Sequence, residues 1–336
     1  MIRTALVDLH LHLDGSLDLP WTYRRSLEEG LVEPDCTFED YARIIYQTQY
    51  KSREDGFRKF QLTCSVLQTK EALAEAAYRL VRKLNEKGMI YAEIRFASQQ
   101  HTQKGLTQLE ALQAVIDGAK KGMDEFPGIR IGIINCLMHK GDSAAYNMAQ
   151  NEETIQASAA CLGKGLVGID LAGYENNAPY MDYAPLFALA KSYGIPCTAH
   201  AGEMGVASHV LDALEIGVDR IGHGIDSVKD EEILRRVVET QIPLEVCVTG
   251  NCRHGLLYAE HPVRTLLERG AYVTLNCDNM LFAQTDLINE HAQLRHLGVE
   301  TETLKECTRR AIRAAFCTEE EKQELLTKAE EIMNEE

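Results

Sequence analysis

Ala5-Leu6-Val7-Asp8-Leu9-His10-Leu11-His12 is the first apolar run of the chain, and it closes on a His-x-His. Side chains on a β-strand alternate faces, so residues i and i+2 point the same way. His10 and His12 therefore converge on one point at a strand end. A divalent ion requires that arrangement and an ordinary core strand avoids it. A lone His-x-His also arises by chance, so the reading depends on how later apolar runs end.

Seven more such runs follow: Ile90–Phe96, Ile129–Met138, Leu166–Leu171, Ile195–His200, Arg220–Ile221, Leu244–Val248 and Tyr272–Asn276. Amphipathic helical stretches lie between them, among them Lys70–Lys87, Thr107–Phe126, Glu152–Leu162, Tyr183–Tyr193 and Ala207–Ile216. Gly88, Gly128, Gly165, Gly194, Gly217 and Gly270 separate helix from strand and suit helix C-caps. Continuous apolar runs suit parallel strands covered by helices on both faces. Eight strands with helices between them give the count of a (β/α)8 TIM-type barrel. Doubly wound sheets share this local grammar, and the strand ends decide between the two.

No repeat, low-complexity tract or linker divides the chain, so residues 1–336 are read as one domain. Residues 15–89 form a helical insertion after the first strand. Phe57, Phe60 and Leu62 fall on one face of it, suiting a lid over a site or an ordinary packing face. After Thr318 a charged amphipathic helix is expected as a solvated cap.

Composition narrows the partners. With 45% hydrophobic residues the 336-residue chain can bury a large core, and no apolar window is long enough for a membrane span. Lys+Arg 35 against Asp+Glu 51 gives −16, which argues against the polyanionic surfaces of nucleic acid and membrane. A small neutral or cationic substrate fits better, and no obligate protein partner is implied. The start lacks a basic-plus-apolar leader, so a cytoplasmic protein is expected. The ten cysteines are scattered without a C-x-x-C and are read as free thiols, several of them buried in strands.

The strand ends carry the chemistry. Strand five ends Thr198-Ala199-His200-Ala201-Gly202-Glu203, strand six Ile221-Gly222-His223-Gly224, and strand eight Leu275-Asn276-Cys277-Asp278-Asn279. In a barrel all these ends meet at one rim. A buried core histidine could explain one of His10, His12, His200 and His223, but poorly explains all of them together with Asp278. Three imidazoles and a carboxylate suit Zn²⁺, which lowers the pKa of a bound water to about 7. A second metal is not expected, because strand four reads Val167-Gly168-Ile169-Asp170-Leu171-Ala172-Gly173 and offers no bridging Lys.

These blocks resemble the signatures of the adenosine deaminase family over nearly the whole chain: His10-Leu11-His12-Leu13-Asp14-Gly15-Ser16, Tyr91-Ala92-Glu93-Ile94-Arg95-Phe96, Gly168–Gly173, His200-Ala201-Gly202-Glu203, Gly222-His223-Gly224 and Asn276-Cys277-Asp278. The cytidine-deaminase pattern, His-x-Glu with Pro-Cys-x-x-Cys, is absent. The resemblance implies a barrel with one zinc that hydrolyses the 6-amino group of adenosine. It assigns His10, His12, His200 and Asp278 as ligands, with His12 also lining the substrate site. It implies Glu203 as proton donor to purine N1 and His223 as the non-ligand histidine that orients or deprotonates the attacking water. Gly173 would bring its N–H to purine N3. Asp14 would contact the ribose 5′-hydroxyl, where relatives acting on free adenine tend to carry Glu.

The chain departs from the family pattern at several places. Asn279-Met280 stands for Asp-Pro, Gly250 for Ser in Cys247-Val248-Thr249-Gly250-Asn251, Tyr174 for Asp and Ser98 for Pro. Asn279 would donate to purine N7 without titrating. These departures bear on substrate range more than on reaction type. Adenosine and 2′-deoxyadenosine are the expected substrates. The alternatives are free adenine, a modified 6-aminopurine nucleoside, or a catalytically silent purine-binding barrel.

Overall fold

The computed structural model describes residues 5–47, 53–175, 178–253 and 255–334, without the side chains of 53–57. Four strands, β1 (Leu6–His12), β2 (Met89–Phe96), β3 (Arg130–His139) and β4 (Leu166–Gly173), pair in parallel in that order. A second parallel set follows: β5 (Thr198–Ala201), β6 (Arg220–His223), β7 (Leu244–Val246) and β8 (Val273–Leu275). Single bridges join the two sets. Ile169 N–H donates to Pro196 O at 2.9 Å between β4 and β5. Between β8 and β1, Asp278 N–H donates to His10 O at 2.8 Å and His12 N–H to Asp278 O at 2.9 Å. The chain is thus a (β/α)8 barrel, and its β8/β1 seam is stitched by the residues expected to bind metal.

Helices cover the strands through apolar stripes. The helix Lys70–Glu86 starts at Thr69, whose side chain accepts Ala72 N–H, and buries Ala72, Leu73, Ala76, Ala77, Leu80, Val81 and Leu84. Helix Gln108–Glu125 opens with a Thr107/Glu110 capping box. It lies so close to Lys70–Glu86 that a Cβ on Gly118 would fall 2.1 Å from Ala74 O. Lys70–Glu86 therefore belongs to the barrel's own helical layer, and the extra segment before it carries Leu19–Glu28, Phe38–Ile45 and Arg53–Ser65.

Several expectations need correction. Strand five starts at Thr198, because Pro196 has no N–H for the ladder. Strand seven stops at Val246, since Val248–Cys252 turns into a short helix at the rim. Gly217 caps its helix at φ 76°, but Gly128 is not left-handed and Gly165 stands at the entrance to β4, beyond the Leu162 cap. The last helix, Glu319–Asn334, is no solvated cap. Leu325, Ala329 and Met333 are buried in one apolar cluster with Ala5, Val7 and Leu9, on the face of β1 opposite to Asp8 and His10. All ten cysteines are free.

Over the rim lies Arg53–Ser65. Phe60 packs edge-on to Phe282 (4.6 Å between centroids), Leu62 is partly buried, and Cys64 Sγ stands 3.4 Å from Asp14 Oδ2. The helix is placed where a lid would sit; the side chain of Phe57 lies outside the described residues.

Candidate metal centre and active site

Polar residues at every second position of the strands fill the barrel interior near the rim. On β1 this set is Asp8, His10 and His12; Glu93 and Arg95 come from β2, Asp170 from β4, and Glu245 from β7. Arg95 stands at their centre. Its guanidinium reaches Asp170 Oδ2 at 3.1 Å, Glu245 Oε2 at 2.8 Å and Leu9 O at 2.6 Å. The two carboxylates continue to the imidazoles: Glu245 Oε2 lies 2.8 Å from His10 Nδ1, and Asp170 Oδ2 3.0 Å from His200 Nδ1. Each carboxylate fixes the hydrogen on Nδ1 and turns the Nε2 lone pair inward.

Those lone pairs meet. His12 Nε2 is 3.2 Å from His200 Nε2 and 3.4 Å from Asp278 Oδ1, which is 3.8 Å from His10 Nε2. Two donors bound tetrahedrally to one zinc ion stand about 3.3 Å apart. His10 Nε2 is buried without a hydrogen-bond partner. A cation satisfies that orphaned lone pair, so the donor set fits a metal.

The electrostatics agree. Burial pushes His10 and His12 well below the usual histidine range, helped by the Arg95 and His200 charges, so both lone pairs are free at neutral pH. Burial would lower His200 too, but the Asp170 carboxylate outweighs it and raises this imidazole. Burial raises Glu245 and Asp170, yet cationic neighbours prevail; Arg95 and Arg220 hold Glu245 at about 2.

His223 belongs to the cluster by distance: its ring centroid is 4.7 Å from that of His10 and 5.2 Å from that of His200. Its hydrogen bonds set it apart. Val263 N–H can only donate, so His261 Nδ1 accepts it at 3.2 Å and the His261 hydrogen sits on Nε2. That hydrogen faces Asn251 Oδ1 at 3.2 Å, which turns the Asn251 amide nitrogen to His223 Nδ1 at 3.2 Å. His223 Nδ1 is then an acceptor, and its Nε2 carries the hydrogen. Burial keeps both rings neutral, with His261 pushed down to about 4. An Nε2–H cannot ligate; Glu203 Oε2 lies 3.4 Å from this nitrogen. Burial, then the Asp278 charge, raises Glu203 to about 8.

Asp14 and Asn279 border this cluster through Asp278, and Gly173 ends β4 three residues beyond Asp170. Asp14 is buried; its Oδ1 accepts Gly15 N–H at 3.1 Å. Gly173, at φ 118°, leaves no room for a Cβ, which would meet His139 O at 2.7 Å. Asn279 turns towards its neighbour, its amide donating to Asp278 Oδ1 at 2.6 Å while its carbonyl packs over Gly15. Sequence reasoning assigned no role to Arg95, Asp170, Glu245, Asn251, His261, Cys64 or Glu175. The signal for the first three was present as charges at alternate positions in apolar runs.

Arg95→Lys tests the bridging. A lysine point charge cannot fork to both carboxylates, and an unpaired buried carboxylate is costly. Urea unfolding should show about 3 kcal/mol less stability, and metal affinity should fall about tenfold. An unchanged midpoint and affinity would show that Arg95 does not tie the two histidine supports together.

Fold and donor set together define a class: the barrel hydrolases of the amidohydrolase superfamily, which work through metal held at the strand ends. The adenosine deaminase family model matches residues 5–332, and the chain belongs to that family. An adenosine deaminase of Haemophilus ducreyi is 35% identical over 333 residues, spanning 97% of this chain and 96% of the relative. Among solved structures, an adenine deaminase from Arthrobacter aurescens superposes with a TM-score of 0.84 at 23% identity, over 98% of each chain. An amidohydrolase of Burkhoderia ambifaria with bound zinc gives 0.85 at 19% identity, over 98% of this chain and 91% of that one.

Proposed function

We propose that this enzyme hydrolyses adenosine and 2′-deoxyadenosine to inosine and deoxyinosine, releasing ammonia, with one zinc ion per chain. The observation that carries the reading is the run of close donor atoms from His200 Nε2 through His12 Nε2 and Asp278 Oδ1 to the orphaned His10 Nε2, with Glu203 near Asp278 and His223. His10, His12, His200 and Asp278 would hold the ion, which when bound supplies a water activated near neutral pH.

The chain's own residues do the rest. Attack at C6 breaks the purine's aromaticity, so N1 must gain a proton as oxygen adds. Burial and the Asp278 charge raise Glu203, which favours the acid form that gives that proton. His223 presents Nε2–H, so it orients the attacking oxygen as a donor rather than removing its proton. His12 lines the site from the metal side. Gly173 N–H addresses N3, Asp14 takes the 5′-hydroxyl, and Asn279 keeps a second amide hydrogen for N7 after serving Asp278.

The substrate is a small purine nucleoside. Among the described residues no helix is long and apolar enough to cross a membrane, and the ten free thiols support a cytoplasmic setting. A panel of adenosine, deoxyadenosine, adenine and N6-methyladenosine, read by ammonia or amine release, tests the assignment. Adenosine should exceed adenine by more than about tenfold, because one displaced polar contact at the ribose is worth about 1.4 kcal/mol or more. Adenine winning by that margin would overturn the role of Asp14, and no release from any of them would point to a silent binding barrel.

A further inference from the structure

Glu175, two residues beyond Gly173, is buried at the end of β4. Its Oε1 accepts Gly202 N–H at 2.5 Å and lies 3.0 Å from His209 Nδ1. Its Oε2 accepts Glu203 N–H at 3.1 Å and Met204 N–H at 2.9 Å. Three consecutive backbone donors converging on one anion form a nest, filled here by a side chain of the same protein. Gly202 makes the curl possible at φ 70°, where a Cβ would sit 2.5 Å from Val210. Beyond the nest, Asp226 Oδ2 accepts Gly205 N–H at 2.5 Å, and Asp226 N–H donates to Gly202 O at 2.8 Å.

Glu203 lies inside this clamp. Its carboxyl meets His223 and Asn251 at 3.4 Å each, contacts too long to fix its direction. Its aim is therefore set from the backbone. We propose that Glu175 is a positioning residue for proton transfer, holding residues 202–204 so that the Glu203 carboxyl faces the reacting ring. This rests on Glu203 being the proton donor, as read above. A carboxylate suits the task because it only accepts, whereas a glutamine there would turn its own N–H hydrogens on backbone donors.

The test uses the full-length, zinc-loaded enzyme with Glu175→Gln, and with Glu175→Asp, which keeps the charge but is one methylene short. Amide hydrogen exchange at Gly202, Glu203 and Met204 should speed up about tenfold or more in the Gln variant. Its kcat on adenosine should fall about 100-fold, the effect of displacing a reacting group by about 1 Å. KM should stay within about threefold, and zinc content should not change. The Asp variant should show the same changes in smaller measure, and it carries the test if the Gln variant does not fold. In a Glu203→Gln background, Glu175→Gln should remove less than about threefold more, because the two act on one step. Unchanged exchange, unchanged kcat, or losses that multiply in the double variant would each overturn the proposal. Exchange needs no substrate, so a wild type inactive on adenosine would sink the functional reading and leave the clamp to be judged from the amides.

Discussion

Glu203→Gln is expected to lower kcat on adenosine by about a thousandfold, within the range lost when a positioned general acid is removed, while one zinc ion stays bound per chain. The amide fills nearly the same space, though its single oxygen can face only one of Asn251 and His223, which border different carboxyl oxygens at 3.4 Å each. It lacks a proton that can be given to N1 as oxygen adds at C6. The loss should appear in kcat with KM little changed, because the proton moves only as the transition state forms. The wild-type carboxyl suits the task. Burial and the nearby Asp278 charge lift it to about 8, towards the acid form the step needs. Activity within a few-fold of wild type would remove Glu203 from the chemistry. Loss of zinc along with rate would show instead that the substitution disturbed the ion's surroundings.

How far the sequence could be read depends on the range of the interactions. The barrel was legible because each strand is a local apolar run and the helices between them carry buried stripes, the clearest with a cap, as in Lys70–Glu86 after Thr69. The rim was legible because His10, His12, His200, His223 and Asp278 each fall where a run stops. The layer beneath it was not. Glu245 reaches His10 across 235 positions, and Arg95 reaches Glu245 across 150. Only closure of the barrel brings these groups together, and alternation along a strand says which side a charge faces, not which charge it meets. The His261–Asn251–His223 relay was hidden for a further reason: its meaning lies in hydrogen positions fixed by one backbone amide, that of Val263. The terminal helix was misread because its pairing surface, Ala5, Val7 and Leu9 on β1, lies at the opposite end of the chain.

Asp278→Asn should lower zinc affinity by at least about 100-fold, the upper end of what losing a supporting partner alone costs, with activity falling in step with the ion lost. Asparagine is the better replacement because Asp278 sits at φ 60°, a conformation Asn tolerates and Ala resists. Its backbone bridges to His10 O and from His12 N–H, which close the β8/β1 seam, then survive, and Asn279 still finds an oxygen to donate to. What disappears is the negative charge facing His12 Nε2 at 3.4 Å and His10 Nε2 at 3.8 Å. Asp278→Ala adds backbone strain and a void, so it should lose stability as well as metal. Zinc titration by competition with a chelator reads the affinity, and urea unfolding of the metal-free chain separates the strain. A rival set has to be eliminated, since His10, His200 and His223 also bring ring nitrogens within 4.8 Å of one another. The relay that places the hydrogen on His223 Nε2 argues against that set, and His223→Ala should therefore keep zinc while losing turnover. If the His223 variant loses the ion and Asp278→Asn keeps it, the ligands are the imidazoles alone and the carboxylate serves the substrate instead.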